Sequence, residues 1–230
     1  MRGLAVRPSW YPKYVPKAGD GCVLFCPGQD DPQSAVLRDI SGNRNNGTIT
    51  GATWVRLPSG LWVLSYDGTD DKVTIADHAS LDITTALTLE AWVYHDISGD
   101  EFPIAKRVGG GDDSYEFRIA ALDNPAFSVF IGDVNKTAYH ASTVPVLTWA
   151  HLVGTFDGAS VRLYVNGTPG DAVEAIGSID VTTDALTIGW GYSNDYAWDG
   201  KVALPCVRSR ALSSSEVLTR FNQTRHLFGV

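Results

Sequence analysis

Trp149-Ala150-His151-Leu152-Val153-Gly154-Thr155-Phe156-Asp157-Gly158-Ala159-Ser160-Val161-Arg162-Leu163-Tyr164-Val165-Asn166-Gly167 reads as strand, turn, strand, turn. Val161, Leu163 and Val165 alternate with Arg162 and Tyr164, the period of an extended chain with one side in a core. Asp157-Gly158 between the two runs supplies the backbone freedom a tight hairpin demands, and Asn166-Gly167 closes the second run in the same way. Outward from this hairpin the same pattern recurs: β-branched and aromatic runs at 22–25, 61–66, 72–75, 87–94, 102–106, 114–119, 126–131, 136–141, 186–190 and 202–207, separated by turn clusters. Leu87, Leu89, Ala91 and Val93 form a second alternating set. Helical periodicity enters at the end, where Ser213 and Glu216 make a capping box ahead of Val217, Leu218 and Phe221. The expectation is an all-β sandwich of antiparallel strands with one short C-terminal helix.

Composition bounds the rest. The chain has 230 residues, 44% of them hydrophobic, enough for one continuous core and too many for a disordered chain. Charged residues are only 19%, yet no apolar run reaches the roughly 18 residues of a membrane span, so membrane insertion is not expected. Acids outnumber bases 26 to 18, a net charge of -8 that repels polyanions and excludes nucleic acid as an expected partner. Glutamate occurs only at Glu90, Glu101, Glu116, Glu174 and Glu216; the bias to Asp beside 23 Gly favours turns over helices.

Residues 1–20 read as an extended N-terminal arm and 21–230 as the sandwich domain. The arm carries Arg2, Arg7, Lys13 and Lys17, with Pro8, Pro12 and Pro16 among Trp10, Tyr11 and Tyr14. Proline at every fourth position argues against a helix, and the aromatics offer anchors, so Arg7, Trp10, Tyr11, Lys13 and Tyr14 are the residues expected to clasp an acidic partner. No apolar segment of signal-peptide length follows Met1 and Arg2, so no classical export signal is read. The location expected is a virion or cell-surface assembly, otherwise the cytoplasm. Cys22, Cys26 and Cys206 read as reduced thiols; the alternative, a bridge from Cys22 or Cys26 to Cys206, requires the first and last strands to be neighbours in an oxidising environment. Asn46, Asn135, Asn166 and Asn222 stand in Asn-x-Thr sequons but read as turn residues.

Six segments carry a family resemblance. Asp39-Ile40-Ser41-Gly42-Asn43-Arg44-Asn45-Asn46-Gly47 matches an Asp-x-Ser-Gly-Asn-x-Asn-x-Gly loop, and Tyr66-Asp67-Gly68-Thr69-Asp70-Asp71-Lys72-Val73 a Phe-Asp-Gly-x-Asp-Asp-x-Val turn. Residues 87–93 fit a Phe-Thr-Ile-Ser-Ala-Trp-Val strand, 149–158 fit Trp-His-His-Val-Ala-Gly-Thr-Tyr-Asp-Gly, and 161–167 fit Val-x-Leu-Tyr-Val-x-Gly. Arg210-Ala211-Leu212-Ser213 with Glu216 matches a closing Arg-Ala-Leu-Ser-x-x-Glu. In this order they resemble the laminin G-like branch of the concanavalin A-like lectin/glucanase superfamily. The resemblance implies a two-sheet antiparallel jelly roll with first and last strands adjacent, a fold used by lectins, adhesion modules, some glycosidases and virion proteins. One segment departs: where relatives read Gly-x-Ile-Asp-Glu-Val-Arg-Ile, this chain has Gly200-Lys201-Val202-Ala203-Leu204-Pro205-Cys206-Val207, losing an acid at Ala203. Pro205 cannot donate to a ladder, so the strand is expected at an edge or broken there.

Catalysis is not expected. Glycosidases of the superfamily set paired carboxylates on one strand, and none of the five glutamates has that company; the histidines are dispersed, and His151 reads as a strand residue. The resemblance implies one structural Ca²⁺, with Asp39, Asn43 and Asn45 of the early loop and Asp67 and Asp70 of the later turn as ligands; the alternative reading is Asx turns closing these loops without metal. For sugar, Trp190-Gly191-Tyr192-Ser193-Asn194-Asp195-Tyr196-Ala197-Trp198 mixes aromatic faces with polar groups, and Trp190, Tyr192, Asn194, Asp195 and Tyr196 are the candidate ligand residues, with Trp198 assigned to the interior. Two functions follow: a non-catalytic interaction module displayed on a larger assembly such as a phage or virus particle, with neighbouring subunits or surface glycans as partners, or a free-standing lectin or adhesion module. A homo-oligomer is compatible with both.

Overall fold

Strands that alternate apolar and polar residues need a second apolar surface to cover them, and here two antiparallel sheets cover each other. The computed structural model describes residues 20–28, 33–107 and 113–230. In chain order the strands are β1 (Cys22–Phe25), β2 (Val36–Leu37), β3 (Gly47–Thr50), β4 (Thr53–Arg56), β5 (Trp62–Asp67) and β6 (Lys72–Ile75). Then come β7 (Leu87–His95), β8 (Glu101–Lys106), β9 (Tyr115–Ala120), β10 (Asn124–Ile131), β11 (Val134–Tyr139) and β12 (Trp149–Phe156). The last are β13 (Ser160–Val165), β14 (Thr168–Pro169), β15 (Val173–Glu174), β16 (Leu186–Ile188) and β17 (Asp199–Arg208), followed by helix α1 (Ser214–Thr224). The first sheet runs β14-β13-β12-β7-β17-β5-β4, with β1 on β17 and β15 on β13; the second runs β11-β10-β9-β8-β16-β6-β3-β2. This is the jelly-roll sandwich the sequence implied. No helix among the described residues is long and apolar enough to cross a membrane.

The quoted hairpin holds its register, Leu152 opposite Val165 and Phe156 opposite Val161. Leu87, Leu89, Ala91 and Val93 turn inward with Leu152, Leu163, Phe117 and Phe127. Gly154 also faces the core: a Cβ there would lie 2.2 Å from the Phe127 ring, so the position admits no side chain without moving that ring. The opposite face of the first sheet, with Trp92 and His151, is covered by α1. Its capping box forms as expected, Glu216 N donating to Ser213 Oγ and Ser213 N to Glu216 Oε2. Phe221 and Phe228 stack on Trp92, whose Nε1 donates to Thr224 Oγ1 at 3.0 Å.

Two strand expectations are refined. The strand containing Pro205 is not at an edge: β17 lies between β7 and β5, and the ladder breaks by a register shift between Ala203 and Cys206, with Leu204 at φ +51°. A bulge lets proline sit in a central strand, because the missing donor falls where pairing is already interrupted. First and last strands are neighbours, and Cys22 Sγ lies 3.7 Å from Cys206 Sγ. All three cysteines are free thiols. Cys26 packs in the core between the sheets, whereas Cys206 packs with Trp92 and Phe221 beneath the helix.

Candidate ligand-binding site

The loop joining β16 to β17 is closed on itself. Trp190 and Ala197 form an isolated bridge, Trp198 N donates to Gly189 O, and Tyr196 N to Ser193 O. Gly189, at φ +83°, lies against the Tyr66 ring so closely that a Cβ would be 2.2 Å from it, which pins the loop base to β5. Trp198 is fully buried in the core. Trp190 is half-buried with Lys72 Nζ 4.1 Å above its ring.

Past that base the loop presents two tyrosines side by side. Tyr192, 38% exposed, and the half-buried Tyr196 have ring centroids 4.6 Å apart. Both meet Phe102 of β8 edge-on, at 6.1 and 5.7 Å. The Arg107 guanidinium stacks 4.5 Å from the Tyr192 ring and is itself fixed by Glu116 at 2.6 Å and Asp113 at 3.0 Å. Arg118, paired with Asp100, lies 5.9 Å from the centroid of the Phe102 ring. The tyrosine pair is thereby preorganised, its rotamers set by packing and by cation–π contact before a ligand arrives. Asp195 is exposed beside it, and the side chain of Asn194 lies outside the described residues. Phe102, Arg107 and Lys72 were not singled out by sequence reasoning; Phe102 stands on β8, Arg107 just past its end and Lys72 on β6, remote in the chain, and strand pairing brings them to the loop.

The turn at 67–71 adjoins this loop. Gly68 N donates to Trp198 O, and Asp67 pairs with Asp199 across β5 and β17. Asp67 N donates to Asp71 Oδ2 and Thr69 N to Asp67 Oδ1, which folds the turn so that ligand oxygens of Asp67, Asp70 and Asp71 lie within 4.8 Å of one another. Burial, with the neighbouring Asp67 and Asp70 charges adding to it, pushes the Asp71 carboxyl above its usual range. Three carboxylates and no softer donor make a set that suits a hard cation. The early loop is differently employed. Asp39 accepts from Phe25 N, Ser41 N, Asn45 N and Ser41 Oγ, Asn45 donates to Val23 O and Ser80 Oγ, and Asn43 donates to Ser41 Oγ. Among the described residues the carboxylates that converge are Asp67, Asp70 and Asp71, and Asp39 is not with them.

Two further acidic places complete the electrostatics. Glu101 Oε2 accepts from Asp199 N at 3.1 Å; burial, then the charges of Asp199, Asp100 and Asp123, raises its carboxyl to about 7. Under α1, Glu90 receives Arg208 Nη1 at 3.0 Å and His151 Nε2 at 3.1 Å together with Arg220 Nε. Burial alone would raise Glu90, but Arg220, His151 and Arg208 together hold it far below the usual carboxylate range. The arm residues Arg7, Trp10, Tyr11, Lys13 and Tyr14 lie outside the described residues.

Residues 67–218 match the family model of the concanavalin A-like lectin/glucanases superfamily. The fold is similar to the binding domain of Paraclostridial Mosquitocidal Protein 1, at 16% identity and a TM-score of 0.72 over 88% of this chain and 52% of that one. It is similar also to domain 4 of AbnA, a GH43 extracellular arabinanase from Geobacillus stearothermophilus solved with arabinotriose, at 16% identity and a TM-score of 0.68 over 86% of this chain and 97% of that domain. A third similar structure is the ligand-binding domain of botulinum neurotoxin serotype D with N-acetylneuraminic acid, at 12% identity and a TM-score of 0.68 over 88% of this chain and 51% of that one. The chain thus spans about half the length of the toxin domains it matches. No curated protein matches it. With two thirds of the chain carrying the family pattern on the expected two-sheet frame, it belongs to the concanavalin A-like lectin/glucanase superfamily, in the laminin G-like branch.

Proposed function

We propose that the chain is a non-catalytic carbohydrate-binding module whose ligand stacks on the Tyr192–Tyr196 pair. The observation that carries this reading is that pair itself, Tyr192 exposed and Tyr196 half-buried beside it, yet locked by Phe102 and Arg107. Rigid amphipathic rings give contact area at little entropic cost, and Asp195 and the half-buried Trp190 lie on the same loop to take hydroxyls and a second ring face. Arabinotriose on the AbnA domain and N-acetylneuraminic acid on the neurotoxin domain support the reading by showing what this frame can carry elsewhere. A Ca²⁺ held by Asp67, Asp70 and Asp71 would brace the loop through the Gly68–Trp198 hydrogen bond. The nearby Glu116 is committed to Arg107, which supports binding without hydrolysis. A glycan array tests the proposal: binding abolished by Tyr192→Ala with Tyr196→Ala is expected, and binding unchanged in that double variant, or release of reducing sugar from a bound polysaccharide, overturns it.

A second reading places the module on the surface of a larger assembly, a phage or virus particle, held by the basic, aromatic arm. Its support is the arm's composition against an acidic body. Deleting residues 1–19 is expected to abolish incorporation into the particle while leaving the sandwich folded; normal incorporation would refute it.

A further inference from the structure

Helix α1 seals the outer face of the first sheet over Trp92 and His151, and the residues after it border the next pair along the same strands. Tyr94 and Trp149 are directly opposed across β7 and β12 and remain half-buried, rings 5.5 Å apart. Phe228 closes one side, 4.7 Å from the Trp149 ring. The loop before β12 closes the other, and between them lies a cleft of about 450 Å³. That is the size of a small-ligand site, within the roughly 300–1,000 Å³ such sites occupy.

Its walls are mixed rather than greasy. Asn166 lines the cleft in the left-handed region, φ +50°, and its Oδ1 accepts from His151 N at 2.8 Å, which commits the oxygen and leaves the NH₂ as a donor. Thr148 donates its hydroxyl to Pro145 O and so retains lone pairs to accept. Leu147 forms the lip. It is 59% exposed and holds φ +60°, with its N–H on His95 O, so it bears both backbone strain and apolar exposure at the edge of the cleft. Two cations adjoin the cleft and both are engaged: Lys201 pairs with Asp96 and lies over the Tyr94 ring, and Arg225 donates to Val230 O, itself on a lining residue, and lies over the Phe221 ring.

We propose that this cleft binds a neutral hexopyranose, as a second carbohydrate site on the sheet opposite the Tyr192–Tyr196 loop. The apolar C–H face of the sugar lies on Trp149 and Tyr94, and its hydroxyls meet the Asn166 NH₂ and the Thr148 oxygen. With Lys201 and Arg225 both engaged, the cleft favours an uncharged sugar over an acidic one. The site stands or falls separately from the loop site, since it shares no residue with it.

The test is a titration of the ¹⁵N-labelled chain with methyl β-D-galactopyranoside and methyl β-D-glucopyranoside, followed at the Trp149 indole and the Asn166 side-chain amide. Shifts at both groups with a millimolar Kd are expected from at least one glycoside. Trp149→Ala should weaken binding by about tenfold or more. Asn166→Asp, which keeps a residue tolerant of the left-handed turn and keeps the acceptor for His151 N while removing the donor, should weaken it comparably without unfolding the sheet. Tyr192→Ala should leave these shifts intact. No shift at either group with both glycosides, unchanged affinity in Asn166→Asp, or loss of the shifts in Tyr192→Ala would overturn the proposal.

Discussion

Glu90 on β7 and Glu101 on β8 are both buried glutamates, yet the face under α1 surrounds the first with Arg208, Arg220 and His151, while the open end near the aromatic loop surrounds the second with Asp199, Asp100 and Asp123. One region has spent its charges on each other. The other keeps acids close together with few cations among them. A sealed face tolerates a buried carboxylate only when its partners are built in, and Glu90 has three of them. An end that faces solvent can leave carboxylates partly protonated, or available to a cation from outside. The contrast separates a structural region from a binding region within one sandwich.

Removing the Glu90 charge is the harshest way to break that contrast. Glu90→Gln leaves the partly buried Arg220 without its counter-charge and the buried Arg208 with Asp20 alone, a loss of about 3–5 kcal/mol in unfolding free energy at neutral pH. Because the folded-state carboxyl lies below its unfolded value of about 4.5, its contribution is present above that pH and is lost as pH falls toward the depressed folded value. The gap between wild type and variant, measured by urea denaturation, should narrow steadily below pH 4.5. A gap that stays constant with pH would mean that Glu90 acts through packing alone.

Glu101 predicts the opposite sign. Its carboxyl is raised from 4.5 to about 7 in the folded chain, so ionisation costs stability, which is full below 4.5 and declines as pH rises through 7. Glu101→Gln should therefore be more stable than wild type at pH 8, by about 2 kcal/mol once solvent screening is allowed for, and equal to it at pH 4. Thermal melts across this range test the sign; a variant less stable at pH 8 would show that the Asp199 amide requires a charged acceptor.

The two regions were unequally legible in the sequence. Periodicity in Leu87–Val93 and Val161–Val165 and the Asp-Gly and Asn-Gly turns determine the sandwich, because alternation and turn chemistry are local. β2, β14 and β15, two residues each, and the four-residue β3 and β4 went unread because such short strands exist only through their partners. Tyr192 and Tyr196 were visible as an aromatic cluster, but not the support from Phe102 and Arg107, which depends on β8 lying next to β16 in the second sheet. The Glu90 cluster was equally hidden: its four members lie on β7, β12, β17 and α1. Asp39 and Asp67 illustrate the limit most plainly. Both open Asp- and Gly-containing turns, and nothing local says that Phe25 and Asn45 amides will occupy the first carboxylate while the second meets two more.

That last pair yields the smallest and most selective test. Asp71 stands between the two regimes: it accepts the Asp67 amide, which a neutral side chain could still satisfy, and it repels Asp67 and Asp70, which a neutral side chain would relieve. In chelator at pH 7, Asp71→Asn should therefore gain about 0.5 kcal/mol, since solvent screens most of the repulsion. In millimolar calcium the order should reverse, because a ligand that binds only the folded chain raises the melting temperature of wild type and the variant has lost one of the three carboxylate charges that hold it. If calcium leaves both melts unmoved, the cluster is a solvated turn, and the distinction between the two regions reduces to which carboxylates have an arginine within reach.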